Sequence, residues 1–184
     1  MTSKRYIALL RGVNVGRAKR IAMADLRKLV GALGYTDVKS VLASGNVVFS
    51  APPLAPHEAA ATIEETLVLK LGVAARVIVL AADELAGIIA DNPLVAQATD
   101  HSRLLTFIFA EPHLGQALAP LCEQDWGSGA LALGTRAAYV WCPDGVLDSQ
   151  AAAMVGKQLG DHTTARNWST LCKLHALCSE TPAG

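Results

Sequence analysis

The order in which strand-length apolar runs alternate with helical segments constrains the fold of this chain more than any other feature of its sequence. The first 80 residues predict, in turn, a strand, a helix, two strands joined by a short turn, a second helix and a fourth strand. The segments that carry these patterns are RYIALLRG, MADLRKLVGALG, DVKSVLA, NVVFS, the stretch after APPLAP, and VAARVIVL. Gly34 and Gly72 stand where helices should end, and Pro56 suits a first helical turn. This βαββαβ order is that of a split βαβ, or ferredoxin-like, unit.

Residues 81–184 begin the same order again. DELAGIIADNP predicts a short helix, RLLTFIFA a strand, and PHLGQALAPLCEQ a helix that Pro120 should kink or end near Leu118, because a proline inside a helix costs about 3 kcal/mol. GALALG and AAYVWC predict a strand pair, and SQAAAMVGKQLG and TTARNWSTLCKLHALC predict two consecutive helices. The second unit is therefore predicted as β-α-β-β-α-α, with a helix in place of the last strand. We predict an α+β fold with duplicated ferredoxin-like units, residues 1–80 and 81–184, packed together as one compact protein.

Charge is divided unevenly along a chain whose net charge is zero. Residues 1–80 carry 11 Lys and Arg against 5 Asp and Glu, a net +6, and residues 81–184 carry 5 against 11, a net −6. Within the first 28 residues, Asp25 is the single acid among eight cations. This clustering favours an anionic partner for the amino-terminal half. Attraction between the two halves, or solubilisation by the acidic half, would explain it equally well.

Composition places the chain among globular proteins of the cytoplasm. Its 52% hydrophobic content suffices for a core, and no apolar run approaches the roughly 20 residues of a membrane helix. The start, MTSKRYIALLRGVN, turns charged after about five apolar positions, too few for a secretory signal. Cys122, Cys142, Cys172 and Cys178 show neither Cys-x-x-Cys spacing nor a neighbouring His at metal-ligand spacing. We therefore expect buried free thiols, no metal site and no cofactor.

The loop GVNVGRAK, between the first strand and the first helix, is the first candidate site. Backbone amides can converge on an anion there, and the start of the helix adds partial positive charge. Three residues separate its glycines and Arg17 follows the second, which matches neither the phosphate-binding P-loop nor the Gly-x-Gly-x-x-Gly fingerprint. The alternative interpretation is a turn that needs positive φ at Gly12 and Gly16.

Two further segments carry polar motif residues. SGN suits a tight hairpin turn. We expect this turn at the end of the sheet opposite to the exit of the first strand, so that a bend or a neighbouring chain would have to bring Ser44 to the first loop. In HTTARNW, Thr163 or Thr164 is the expected N-cap of the last helix. Arg166 in the first helical turn would then oppose the helix dipole, which predicts a compensating acid such as Asp161 or an external anion.

The sequence contains no recognisable catalytic constellation. Its five His are scattered without a partner pattern, and no Ser-His-Asp set, Cys-His set or glycine-flanked pair of carboxylates is visible. RNA binding of the RRM kind needs stacked aromatic rings on the first and third strands, for which Tyr6 and Phe49 are the candidates. Aromatic residues make up only 5% of the chain, so this signal is faint.

Two long stretches, ALLRGVNVGRAKRIAMADLRKLVGALGYTDVKSVLASGNVVF and LGDHTTARNWSTLCKL, resemble a bacterial family of proteins of unknown function, numbered 1697. The resemblance spans nearly the whole chain and implies an α+β fold with a duplicated ferredoxin-like arrangement and no established reaction. The chain departs from the family at Arg17, where a second glycine is usual, and at Gln150, where the family has the lysine of a Ser-Lys pair. The positions that match family motifs are Arg11, Gly12, Asn14, Gly16, Lys19, Ser44, Gly45, Asn46, Thr164, Arg166 and Asn167.

Three hypotheses about function follow. The first is a protein that binds an anionic ligand, either nucleic acid or a phosphorylated small molecule, through basic loop residues. The second is an enzyme that acts without a metal on a nucleotide-like or phosphorylated metabolite. The third is a structural or partner-binding protein in which the motif residues only build turns. The predicted ligand-binding residues are Arg11, Asn14, Gly16, Lys19, Ser44, Asn46, Thr164, Arg166 and Asn167.

Overall fold

The computed structural model describes residues 2–180, which form a mixed α+β protein. Its strands are β1 (Lys4–Leu10), β2 (Thr36–Ser40), β3 (Asn46–Ala51), β4 (Val77–Ala81), β5 (Leu104–Phe109), β6 (Ala130–Leu133), β7 (Ala137–Trp141) and β8 (Thr163–Asn167). Its α-helices are α1 (Met23–Ala32), α2 (Pro56–Leu71), α3 (Ala82–Ala90), α4 (Ala119–Cys122), α5 (Gln150–Leu159) and α6 (Trp168–Ser179). None of the helices in the described part is long and apolar enough to cross a membrane.

The strands form two four-stranded antiparallel sheets, ordered β2-β3-β1-β4 and β6-β7-β5-β8. These sheets and their helices are consistent with two ferredoxin-like units, which confirms the predicted α+β fold class. The chain divides into unit 1, which contains the described residues up to Leu85 and those from Lys173 onward, and unit 2, which contains residues 86–172. The end of α6 groups with unit 1.

Unit 1 buries one face of its sheet under α1 and α2. Tyr6, Ala8 and Leu10 alternate along β1, and they pack with Leu26 of α1 and Ile63 of α2 in one apolar cluster. Burying an aliphatic or aromatic side chain of this size stabilises a fold by about 1.5–3 kcal/mol. One face of β1 and the apolar faces of α1 and α2 thus converge on one core.

Both ends of α2 and the end of α1 lie where the residue chemistry predicts. Pro56 is the first residue of α2, where its missing amide hydrogen has no intrahelical partner to lose. Gly72 ends α2 in the left-handed conformation with a φ of 65°, and Gly34 follows α1 with a φ of 91°. Both glycines occupy the left-handed position that closes a helix.

The turn between β2 and β3 lies at the same end of the sheet as the exit of β1, so the expectation of opposite ends is wrong. β1 is antiparallel to β3, with Leu9 opposite Asn46 at the start of β3. The backbone N–H of Leu10 donates to the carbonyl of Gly45 at 2.9 Å. β1 and β2 are each antiparallel to the strand between them, so they run parallel to each other and end at the same edge.

The helical segment between β5 and β6 changes character near Leu118, the position at which Pro120 predicts a kink or an end. A 3-10 helix covers Pro112–Leu118, and the short α4 follows with Pro120 in its first turn. A proline is tolerated there because the first amides of a helix have no intrahelical acceptor. The core of this unit contains Phe107 and Phe109 of β5 and Val155 of α5.

TTARN, which the sequence analysis assigns to the start of a helix, is strand β8. It pairs antiparallel with β5, and α6 begins only at Trp168. The side chain of Asn167 accepts a hydrogen bond from the backbone N–H of Thr170 at 2.9 Å, so Asn167 and not Thr163 or Thr164 caps this helix. The prediction that a helix replaces the last strand of the second unit is therefore wrong.

Candidate functional site

Asn14 anchors the loop between β1 and α1. Its side-chain amide nitrogen donates to the carbonyls of Ile21 at 2.8 Å and Ala43 at 2.7 Å, and its amide oxygen accepts from the backbone N–H of Ile21 at 2.8 Å. Asn14 has a φ of 56°, in the left-handed region that Asn adopts more readily than most residues. These bonds close the loop on itself and join it to the β2–β3 turn.

Gly45 lies where the β2–β3 turn passes closest to the exit of β1. Its φ is 84°, and a Cβ atom at this position would lie 2.7 Å from Cγ2 of Val13 and 2.8 Å from Cβ of Leu10. Both distances are shorter than any ordinary contact of a Cβ atom, so glycine is required here for space as well as for backbone conformation.

Asn46 completes the turn from a fully buried position. Its side-chain nitrogen donates to the carbonyl of Val41 at 2.8 Å and to the hydroxyl of Ser44 at 2.9 Å. The structure therefore brings the predicted residues of unit 1 together at one end of its sheet. They are Arg11, Asn14, Gly16 and Lys19 on the loop and Ser44 and Asn46 on the turn.

Three exposed cations, Arg17, Lys19 and Arg20, follow one another on the same loop. Across residues 2–180, none of their side chains makes a hydrogen bond or an ion pair. The backbone carbonyl of Lys19 accepts from the N–H of Asn14 at 3.0 Å, so this part of the loop is tied to the anchor. Arg11 differs, because it is half-buried and its backbone N–H donates to the carbonyl of Arg76 at 2.9 Å. The loop thus presents three cations from a fixed backbone.

Thr164, Arg166 and Asn167 lie on β8 of unit 2. Arg166 is only 8% exposed, and its guanidinium donates to the hydroxyl of Thr164 and to the carbonyl of Ala165, both at 2.8 Å. Burial lowers the pKa of Arg166 to about 10, because a low-dielectric environment disfavours the cation. The conflict with a helix dipole, on which the anion prediction for Arg166 depended, does not exist because this residue is in a strand.

The aromatic pair considered for base stacking belongs to the core. Tyr6 is 2% exposed and Phe49 is fully buried, with their ring centroids 5.7 Å apart. Tyr35 stacks on Phe49 at 4.5 Å. A stacking platform of the RRM kind needs rings that face solvent, and the rings of Tyr6 and Phe49 do not.

A cavity of about 340 Å³ in unit 2 is the feature that the sequence analysis missed. It lies between residues 125–129 and the segment that runs from the end of β7 to the start of α5. The exposed carboxylates of Asp125, Asp144 and Asp148 border it. Within residues 2–180, no group of His, Cys, Asp and Glu side chains is arranged to hold a metal ion. The signal that could have found this cavity is the pair of turn-rich segments DWGSG and PDGVLDS.

Cys142, in the wall of this cavity, does not have the environment of a nucleophile. It is 1% exposed, and burial raises the pKa of its thiol, whereas an activated thiol has a lowered pKa. All four cysteines are free, as predicted, but the expectation that all are buried is wrong. Cys122 and Cys178 are half-buried and Cys172 is exposed.

The comparisons with known proteins concern the family and the fold. A family model described as "Protein of unknown function (DUF1697)" matches residues 3–139, which include the first of the two stretches that carry the sequence resemblance. The chain is similar to a conserved bacterial protein from Streptococcus pneumoniae of known structure, with a TM-score of 0.79 and 20% sequence identity over 97% of this chain and 100% of that one. No curated protein matches the chain. At 20% identity the structural likeness concerns the fold alone.

Proposed function

The chain belongs to the DUF1697 family of proteins of unknown function, and we propose that it is a cytoplasmic protein that binds an anionic ligand, nucleic acid, through the loop of unit 1. The observation that carries this proposal is the set of exposed cations, Arg17, Lys19 and Arg20, which have no partner within the described residues. The bonds of Asn14 hold the backbone of the loop in place, so the cations are presented from a defined path.

An extended polyanion fits this arrangement better than a single phosphate group. One exposed ion pair contributes about 0–1 kcal/mol, which is too little to hold a small ligand on an open loop. A nucleic-acid strand places several phosphates against neighbouring cations and gains further from the release of condensed counterions. The proposed ligand is therefore nucleic acid, bound through its phosphates.

The proposal assigns different roles to the residues of unit 1. Arg17, Lys19 and Arg20 supply charge, while Arg11, the amides near Gly16 and the hydroxyl of Ser44 supply further donors at the same end of the sheet. Asn14 and Asn46 hold the loop and the turn through their internal hydrogen bonds. The residues of β8, Thr164, Arg166 and Asn167, hold that strand and the start of α6 and are not required. Because the candidate stacking rings are buried, we expect little sequence preference.

Fluorescence anisotropy with a labelled single-stranded RNA and a labelled DNA duplex, from 50 to 200 mM salt, tests the proposal. Three phosphate contacts predict a slope of about −2 for log K against log salt with a single strand, which is a loss of roughly 20-fold over this range. The variant Arg17→Glu/Lys19→Glu/Arg20→Glu should lose binding. The matched control, Lys4→Glu/Lys157→Glu/Lys173→Glu, changes the net charge equally at exposed lysines elsewhere and should retain most of it.

Three outcomes would contradict the proposal. The first is no binding at 50 mM salt, and the second is an equal loss in both triple variants, which would mean that net charge and not the loop attracts the ligand. The third is saturable, salt-insensitive binding of a nucleotide or of inorganic phosphate without oligonucleotide binding. That result would identify a small phosphorylated ligand and return the enzyme hypothesis to consideration.

A further inference from the structure

A groove of about 350 Å³ lies between α1 and α2 of unit 1. Leu29 and Ala32 of α1, Leu33 directly after it, and Leu71 of α2 supply its apolar walls. It shares no lining residue with the loop at residues 11–20 or with the cavity of unit 2. It is therefore a second concave surface that the proposed function does not use.

Charge around the groove is mainly positive. Lys28 of α1 and Lys70 of α2 border it, and both side chains are exposed. Neither lysine makes a hydrogen bond or an ion pair with any other residue of the described chain. Asp25 is the single acid among the lining residues, so two cations face one carboxylate. An anionic group would be attracted to this rim.

Apolar walls beside a cationic rim complement a molecule that is apolar at one end and anionic at the other. Small-molecule sites are mostly apolar, with a few polar groups that set the orientation of the ligand, and their volumes begin at about 300 Å³. The groove lies at the small end of that range, which fits a single alkyl chain and not a helix of a partner protein. The lysines can keep their ammonium groups in water while their stems extend the apolar wall.

We propose that this groove binds a small amphiphile, a single-chain alkyl carboxylate, with the chain between α1 and α2 and the carboxylate at Lys28 and Lys70. Contact of the chain with Leu29, Leu33 and Leu71 supplies most of the affinity, because each buried methylene strengthens binding by about fourfold. The lysines determine the orientation and select an anionic head. This site is independent of nucleic-acid binding by the loop.

Isothermal titration calorimetry with sodium decanoate, below its micellar concentration, is the direct test. We expect one saturable site per chain, with octanoate about 15-fold weaker because it buries two fewer methylenes. Decylamine, which has the same chain and the opposite charge, should bind much more weakly. The variant Lys28→Glu/Lys70→Glu should weaken decanoate about tenfold, and the control Lys4→Glu/Lys173→Glu should not.

Two variants fill the groove from opposite walls, so that the test does not depend on one of them folding. Ala32→Trp acts from α1 and Thr66→Trp from α2, and each should abolish decanoate binding. Ala61→Trp is the control, because Ala61 is an exposed residue of α2 that does not line the groove. Far-ultraviolet circular dichroism and the melting temperature identify the variants that fold.

The proposal is overturned if decanoate does not bind, if decylamine binds equally well, or if a folded groove-filling variant binds decanoate like the wild type. The variant Arg17→Glu/Lys19→Glu/Arg20→Glu should keep its decanoate affinity. That measurement separates a failure of this site from a failure of the nucleic-acid proposal.

Discussion

Different side chains hold the backbone in place at the end of β1 in unit 1 and at the end of β5 in unit 2. In unit 1 the N–H of Leu10 donates to the carbonyl of Gly45 at 2.9 Å, and in unit 2 the N–H of Phe109 donates to the carbonyl of Arg136 at 3.0 Å. In both units, therefore, the backbone at the end of the first strand hydrogen-bonds to the turn that precedes the neighbouring strand. The side-chain anchor is the neutral amide of Asn14 in unit 1, whereas in unit 2 it is the guanidinium of Arg136, which donates from Nε to the carbonyl of Phe109 at 2.8 Å.

This difference determines what each exit can offer to a ligand. In unit 2 the cation itself satisfies backbone carbonyls, the second of them at Ala110 at 3.2 Å, so part of its hydrogen-bonding capacity is used inside the unit. In unit 1 the uncharged side chain of Asn14 donates to backbone carbonyls instead, and the side chains of Arg17, Lys19 and Arg20 are exposed to solvent. Three of the eleven cations of the first 80 residues are thus presented together at the surface on this loop, which is why unit 1 carries the proposed site.

Gly45→Ala should have the largest effect among the changes that test this comparison. Alanine would be strained at a φ of 84° and would collide with Val13 and Leu10, so we expect the free energy of unfolding to fall by about 3 kcal/mol. In the corresponding turn of unit 2, Gly134 has no positive φ, and an added Cβ atom would lie 3.1 Å from the ring of Tyr139. Gly134→Ala should cost only about 1 kcal/mol. Urea denaturation measures both, and equal losses would show that the two exits are equally tight.

Asn14→Ala should have the next largest effect. It removes three hydrogen bonds to Ile21 and Ala43 and places alanine at a φ of 56°, which together should lower the free energy of unfolding by about 2 kcal/mol. Asn14→Gly is the matched control, because glycine also loses the bonds but tolerates the backbone conformation, and it should recover about 1 kcal/mol. Amide hydrogen exchange at Ile21 should accelerate in both variants. Unchanged exchange would mean that the amide of Asn14 is not the anchor.

The course of unit 1 could be predicted from its sequence because each element carries its own local signal. Pro56 opens α2, Gly72 closes it, and the continuous apolar run of β1 predicts a buried strand, whose residues 5–10 are all buried. β8 could not be predicted in the same way, because no turn residue separates it from α6. Its five residues are also too few to show the alternation of apolar and polar side chains that is typical of a strand. Its strand conformation depends on pairing with β5, about 60 positions earlier in the sequence, which local patterns do not reveal.

The part of the candidate site that depends on local sequence could be predicted, and the part that depends on long-range contacts could not. Exposure of Arg17, Lys19 and Arg20 follows from their place in a glycine-containing loop, which is recognisable in the sequence. The burial of Arg166 depends on the pairing of β8, and the hydrogen bond from Asn14 to Ala43 joins residues 29 positions apart. Local patterns reveal charge and turns, whereas the partners of polar side chains depend on the assembled sheet.

Substitutions of Lys19 test whether the backbone is strained at this exposed cation of unit 1. Its φ is 50°, so Lys19→Gly should relieve strain that Lys19→Ala keeps, and the glycine variant should be more stable by about 1 kcal/mol. Lys157 in α5 of unit 2 is the control, and the order of stability should be reversed there. A helix with glycine is less stable than one with alanine by about 1 kcal/mol, so Lys157→Gly should be less stable than Lys157→Ala. Thermal unfolding of the four variants compares the two positions. A glycine variant at Lys19 that is less stable than the alanine variant would show that the backbone there is not strained.

The smallest effect on stability should come from Arg17→Gln/Arg20→Gln. Both side chains are exposed and make no hydrogen bond or ion pair within residues 2–180, so the free energy of unfolding should change by less than about 0.5 kcal/mol. Arg136→Gln is the comparison in unit 2, where the loss of bonds to two carbonyls should cost about 1 kcal/mol. Urea denaturation and oligonucleotide binding should be measured on the same preparations. If the double variant loses oligonucleotide binding at unchanged stability, Arg17 and Arg20 bind a ligand. If it loses stability as Arg136→Gln does, they stabilise the fold.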